Sequence, residues 1–143
     1  MQSFVNELLI IIVLIGVNAF FAAAEIAILS VRDVRIRQLA EDGHSAAKTV
    51  LRLTEDSSRM LATIQIGITL AGFMASAAAA VGISSSFNAW IATLPIPWLV
   101  RIGPALSVVL VTLLISYFTL VFGELAPKRL ALQKAESIAL WVA

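Results

Sequence analysis

The chain has 143 residues, 60% of them hydrophobic and 13% charged, with a formal net charge of +1; its mean hydropathy is +0.97. Soluble domains carry roughly a quarter of their residues charged, so this composition excludes an ordinary water-soluble globule and points to a lipid bilayer. The ten basic residues are spread along the chain without forming a nucleic-acid footprint, and the lack of cysteine excludes disulfides, thiolate metal sites and cysteine nucleophiles.

About 20 apolar residues cross a hydrocarbon core of roughly 30 Å. The first segment that qualifies is residues 8–31. It has no basic n-region and its apolar run is about twice the length of an h-region, so it is expected to stay in the mature protein. Residues 32–59 follow, with Arg32, Arg35, Arg37, Lys48, Arg52 and Arg59 among Asp33, Glu41, Asp42, Glu55 and Asp56. Their apolar positions predict a short amphipathic helical hairpin broken near Asp42-Gly43, with the charges on a solvated face in intrahelical pairs. His44 lies among these polar residues and reads as solvated.

A second span covers residues 60–83. Residues 84–101, SSSFNAWIATLPIPWLVR, are too proline-broken to cross again and predict an outer interfacial segment anchored by Trp90 and Trp98. The third span is 102–123, with Pro104 expected in its first turn, and Lys128, Arg129 and Lys134 follow it. Positive-inside bias puts the amino terminus outside and the carboxyl terminus in the cytoplasm. The expected fold is an all-α, multi-pass membrane protein of the cell membrane. It has three transmembrane helices per protomer, a cytoplasmic helical hairpin between the first two and an outer interfacial segment between the last two.

Small and polar residues recur at helical spacing on the second span (Ala62, Gln65, Thr69, Gly72, Ser76, Ala79) and on the third (Thr112, Ser116, Thr119, Gly123). The first span places Asn18 and Glu25 on one face. Stripes of this kind ordinarily mark helix packing, but the acids change that reading, because a carboxylate in a membrane is costly unless it faces protein or water. Glu25, Gln65 and Glu124 fall at a similar depth, on the order of 10 Å from a cytoplasmic helix end at 1.5 Å per residue. Pro127 has no N–H for the Gly123 carbonyl, which is therefore expected to lose its helical partner. That oxygen, the Glu124 carboxylate and Thr69 or Gln65 form a hard oxygen set suited to Mg²⁺, Ca²⁺ or Na⁺. The competing reading is a surface pair of Glu124 with Lys128. Glu25 has three open roles: ligand, partner of Lys128 or Arg129, or cap of a hairpin helix. Pairing is favoured, because two unpaired acids in one apolar site repel.

The stretches NAFFAAAEIAILSVR, TIQIGITLAGF and FGELAPKRLALQKAESIAL, in this order and spacing, resemble the transmembrane domain of the CNNM/CorC family of Mg²⁺ transporters and hemolysin-related membrane proteins. The resemblance covers nearly the whole chain. It implies a homodimer with an inward-open acidic cavity in which oxygens from all three helices hold Mg²⁺, with Na⁺ exchange as the driving force. Gly123 and Glu124 match the family's third-helix site residues; Pro127 and Lys128 match its helix break and following cation. Relatives often carry serine where this chain has Ala22, Ala23 and Ala24, and animal members carry asparagines near Ile68, Thr69 and Gly72. Fewer side-chain oxygens therefore remain for a bare divalent ion. Family members usually continue into ATP-binding CBS modules and a CorC/HlyC domain, so the chain reads as the membrane domain of a longer protein.

The expected function is cation transport, with Mg²⁺ export coupled to Na⁺ leading. Polyamine export through the same acidic cavity, and an ion-sensing membrane anchor and dimerisation module, are the alternatives. No nucleophile, base and orienting group occur in a recognisable arrangement, so no enzymatic activity is expected. Ser116, Thr119, Asn18 and Lys128 are candidate cavity or pairing residues.

Overall fold

A computed structural model describes residues 2–143. Among the described residues the chain is helical throughout, with no strand. Helix α1 (Gln2–Ser30) is followed by a hairpin, α2 (Asp33–Glu41) and α3 (Ser45–Glu55). Helix α4 (Ser57–Val81) continues after a kink at Gly82 into α5 (Ile83–Ile91). Helix α6 (Pro97–Leu120) passes through a π turn (Val121–Leu125) into α7 (Ala126–Gln133), and α8 (Ala135–Val142) ends the chain. Three helical stretches, Phe4–Ser30, Ser57–Ile91 and Pro97–Gln133, are long and apolar enough to cross a bilayer. The all-α, three-span expectation holds, and the chain is a multi-pass membrane protein.

Local sequence explains most of the boundaries. Gly43 takes φ +97°, a left-handed conformation that costs a glycine little, and so turns α2 into α3 where the Asp42-Gly43 break was expected. The Asp56 carboxylate accepts the Arg59 backbone N–H at 3.2 Å, capping the start of α4. Ile96 is extended (φ −125°, ψ 93°) because it precedes Pro97, and Pro97 opens α6 in its first turn. The third helix thus begins at Pro97 and not near 102, which corrects the placement of Pro104. That residue lies inside α6 and leaves the Val100 carbonyl without its helical donor.

Pro127 does not end the helix either. It sits in the first turn of α7, and the strain is absorbed one turn earlier, where the Ala126 N–H reaches back five residues to the Val121 carbonyl. A π turn of this kind admits an extra residue without breaking the chain of hydrogen bonds. The helix actually stops at Lys134, whose backbone turns to φ −132°, ψ 41°.

Packing falls into two apolar clusters at opposite ends of the bundle. At the hairpin end, Ala27, Ile28, Ile36, Ala40, Ala47, Val50, Met60, Ile64, Ala131 and Ala139 bury together, so that the hairpin and α8 close over α1 and α4. At the other end, Ile11, Ala79, Val111 and Ile115 join α1, α4 and α6. Between α1 and α4 the contact is made by alanines: Ala22, Ala71, Ala75 and Ala79 are at most 4% exposed. In lipid, where apolar burial drives little association, such small residues stabilise the fold by letting backbones approach. Only 11 to 22% of each apolar window is buried, and the large outward side chains, Leu113, Phe73 and Val13 among them, are exposed. Such a surface needs lipid or another apolar face against it. Trp90 and Trp98 are exposed on either side of the turn between α5 and α6, where indole rings suit a membrane boundary.

The hairpin charges differ from expectation. Among the described residues no intrahelical pair forms in the hairpin, and Arg35 on α2 reaches Glu136 on α8 at 3.4 Å, tying the hairpin to the C-terminal helix.

Candidate functional site

The polar centre lies between the two apolar clusters. Asn18 on α1 is 3% exposed, and its Nδ2 donates to the Gly123 carbonyl at 3.0 Å. That carbonyl is the one Pro127 deprives of a helical donor, so a side chain 105 residues away in sequence replaces the missing N–H. Glycine at 123 eases this approach: a Cβ there would meet Asn18 Nδ2 at 3.0 Å and Asn18 Cβ at 3.4 Å, so the amide would have to shift by a few tenths of an ångström. A carbonyl accepts and cannot donate, so the amide must present its NH₂ to Gly123. Its other atom, Oδ1, is then buried with no hydrogen-bond partner.

Asn18 lines a cavity of about 290 Å³ between α1, α4 and α6, together with Thr69, Gly72 and Ser76 of α4, Ser116 and Thr119 of α6, and Glu124 of the π turn. Ile68, Phe73 and Leu120 form its apolar walls. Thr119 Oγ1 is a second buried oxygen without a partner. Beside the cavity the charges are compensated internally. Lys128 Nζ lies 2.9 Å from Glu124 Oε1 and 3.3 Å from Glu25 Oε2. The first contact is a hydrogen bond, whereas the Glu25 contact is an ion pair without hydrogen-bond geometry, leaving Oε2 with no hydrogen-bond donor. The pairing expected of the acids is present for both: Glu124 lines the cavity and pairs with Lys128, and Glu25 pairs with the same ammonium.

The structure brings Glu124, Thr69, Asn18, Ser116 and Thr119 into one cavity, with Gly123 attached through Asn18 and with Glu25 and Lys128 at its edge. Gln65 is exposed and lines no described cavity. Ser76 belongs to the lining although only its membership of the polar stripe marked it in the sequence. Among the described residues no three carboxylate or imidazole side chains gather as a metal cluster, so the donor set is one lining carboxylate with neutral oxygens. Such a set fits a hard cation that keeps part of its water.

Comparison with known proteins bears on the family of the chain. Residues 9–143 match the family model described as CNNM, the cyclin M transmembrane N-terminal domain. The UPF0053 protein sll0260 of Synechocystis is 39% identical over 137 residues, covering 96% of this chain and 30% of that protein. UPF0053 protein YugS of Bacillus subtilis is 32% identical over 150 residues, covering 96% of this chain and 32% of its own length. The polyamine export protein of Escherichia coli is 35% identical over 63 residues, covering 44% of this chain and 14% of that protein. The chain thus spans about a third of the length of the relatives it matches end to end.

Proposed function

The chain belongs to the CNNM family of transmembrane domains, and on that premise we propose that it is a cation-transport domain of the cell membrane that exports Mg²⁺ in exchange for Na⁺. In this reading the hairpin end and the carboxyl terminus are cytoplasmic, where the basic residues concentrate, and two copies assemble as a homodimer. The observation that carries it is an acidic site occupied by the protein's own cation. Two carboxylates inside a bilayer are expensive unless compensated, and Lys128 compensates both at 2.9 and 3.3 Å. A cation entering the adjoining cavity takes over Glu124, releases the ammonium on its flexible stem, and finds Asn18 Oδ1 and Thr119 Oγ1 already buried and unpartnered.

The size of the cavity favours a partly hydrated ion. About 290 Å³ leaves room for several waters at roughly 30 Å³ each, and Mg²⁺ sheds its water reluctantly. Thr69, Ser76 and Ser116 would then meet the hydration shell. Expressing the full-length protein in cells and following Mg²⁺ efflux tests the assignment. Glu124→Gln is expected to abolish export while helix content and assembly are retained, and a wild-type rate in that variant would refute it.

A second reading, export of a polyamine, is favoured by one specific observation beside the partial similarity to a polyamine exporter: Lys128 demonstrates that a primary ammonium on an alkyl chain fits between Glu25 and Glu124. Putrescine that displaces Mg²⁺ from the purified protein at comparable concentration would favour this substrate class; inert putrescine would favour the metal.

A further inference from the structure

A second cavity is larger than the acidic one. A cleft of about 450 Å³ opens at the hairpin end, where α1, α3, α4 and the tip of α8 meet. Its lining is sorted along the helices. The exposed Arg52 of α3 and Asp56 and Arg59 at the start of α4 form a charged rim; Met60 and Ile64 of α4 and Ile28, Ala24, Phe21 and Phe20 of α1 form the apolar walls. From Ile28 to Phe20 the wall runs eight residues along α1, about 12 Å at 1.5 Å per residue. The Phe21 ring is seated against Gly67, where a Cβ would fall 2.8 Å from it, and so bounds the cleft at its deep end. Phe20 stands edge-on to Trp141 of α8, with ring centroids 5.9 Å apart, which holds the side wall.

The charges at the rim are unequal in availability. The Asp56 carboxylate is engaged as the cap of α4, accepting the Arg59 N–H at 3.2 Å. Neither the Arg52 nor the Arg59 guanidinium forms an ion pair among the described residues. Two free guanidinium groups therefore overhang an apolar slot that runs along the membrane-spanning helices. The slot is cationic where the helices leave the apolar region and greasy within it. A neutral tail would satisfy only the walls and a free anion only the rim.

We propose that this cleft is a binding site for one anionic phospholipid, whose phosphate lies between Arg52 and Arg59 and whose acyl chain runs between α1 and α4 toward Phe20 and Phe21. Guanidinium groups suit phosphate because their planar fork donates two hydrogen bonds at once, and each basic group at a membrane surface adds to the attraction for anionic lipid. The site is separate from the acidic cavity and does not depend on the transported ion.

The test is native mass spectrometry of the purified protein released from mixed micelles holding equal amounts of phosphatidylglycerol and phosphatidylcholine. The wild type is expected to retain one phosphatidylglycerol per protomer with a preference of roughly tenfold or more over phosphatidylcholine, from two basic contacts. Arg52→Gln combined with Arg59→Gln is expected to abolish that preference. Arg37→Gln combined with Lys48→Gln removes the same charge from exposed positions outside the cleft and is expected to leave it intact, with circular dichroism verifying equal helix content in both. Equal retention of the two lipids by the wild type, as expected if a second protein copy or another segment fills the cleft, overturns the proposal. So does a preference that survives loss of Arg52 and Arg59, or one that the control pair diminishes equally.

Discussion

The two cavities of this bundle solve opposite problems. In the one between α1, α4 and α6, charge is compensated internally by Lys128, and the lining atoms left without hydrogen-bond partners are neutral oxygens, Asn18 Oδ1 and Thr119 Oγ1. In the cleft at the hairpin end the acid is already spent on capping α4, and the groups left without partners are two cations, Arg52 and Arg59. Depth accounts for the difference. Inside a bilayer an unpaired carboxylate is costly, so the acid is delivered together with its counter-ion, and the proposed function resides in an exchange of cations. At the membrane edge water and headgroups solvate a free guanidinium, so it can remain unpaired until a ligand arrives.

The comparison can be broken at either cavity. The largest effect is expected from Glu124→Gln, which removes the charged ligand and should eliminate Mg²⁺ efflux while the hairpin-end cleft keeps its lipid preference. Next comes Arg52→Gln with Arg59→Gln, which should cost the roughly tenfold lipid preference and leave Mg²⁺ binding in detergent unchanged; a matching loss of Mg²⁺ binding would show that the two cavities are not independent. Lys128→Gln removes the internal competitor and leaves both acids uncompensated. Isothermal titration should then show Mg²⁺ binding several-fold tighter, and weaker binding would instead identify Lys128 as structural support for the site.

Asn18→Ala deprives the Gly123 carbonyl of its replacement donor. Interhelical hydrogen bonds in membranes are worth about 0.6 to 2 kcal/mol, so a modest fall in thermal stability should accompany weakened cation binding. A stability unchanged in this variant would mean that the π turn holds without the side chain. The smallest effect belongs to Arg35→Ala. Both partners of the pair with Glu136 are about half exposed at 51 and 47%, and such pairs contribute under about 1 kcal/mol, so neither melting temperature nor transport should move measurably.

Helix boundaries depart from the sequence expectation at two prolines. Pro104, expected in a first turn, and Pro127, expected as a helix break, both lie inside continuous helical runs. In water, proline in mid-helix costs ~3 kcal/mol or more, but a π turn and a neighbouring amide can satisfy the freed carbonyl, as Asn18 does for Gly123. The start of α6 is marked by a different proline, Pro97, which follows an extended residue and needs no N–H at that place.

Hydropathy alone was enough to determine the solvent of this protein and its three crossings, because a bilayer penalises every charge and every loose carbonyl it contains; the same penalty singles out Glu25, Glu124, Gly123 and Pro127 as candidates. The periodicity of the side chains also placed Thr69, Ser76, Ser116 and Thr119 on single helix faces. It could not say which faces meet. Periodicity fixes a residue's angle around its own helix, whereas the rotation of one helix against another is decided by packing of the alanine contacts between α1 and α4. Tertiary structure alone therefore joined Asn18 to Gly123, set one lysine between two acids, left Gln65 outside, and built a cationic cleft from residues that the hairpin brings over the first and second spans.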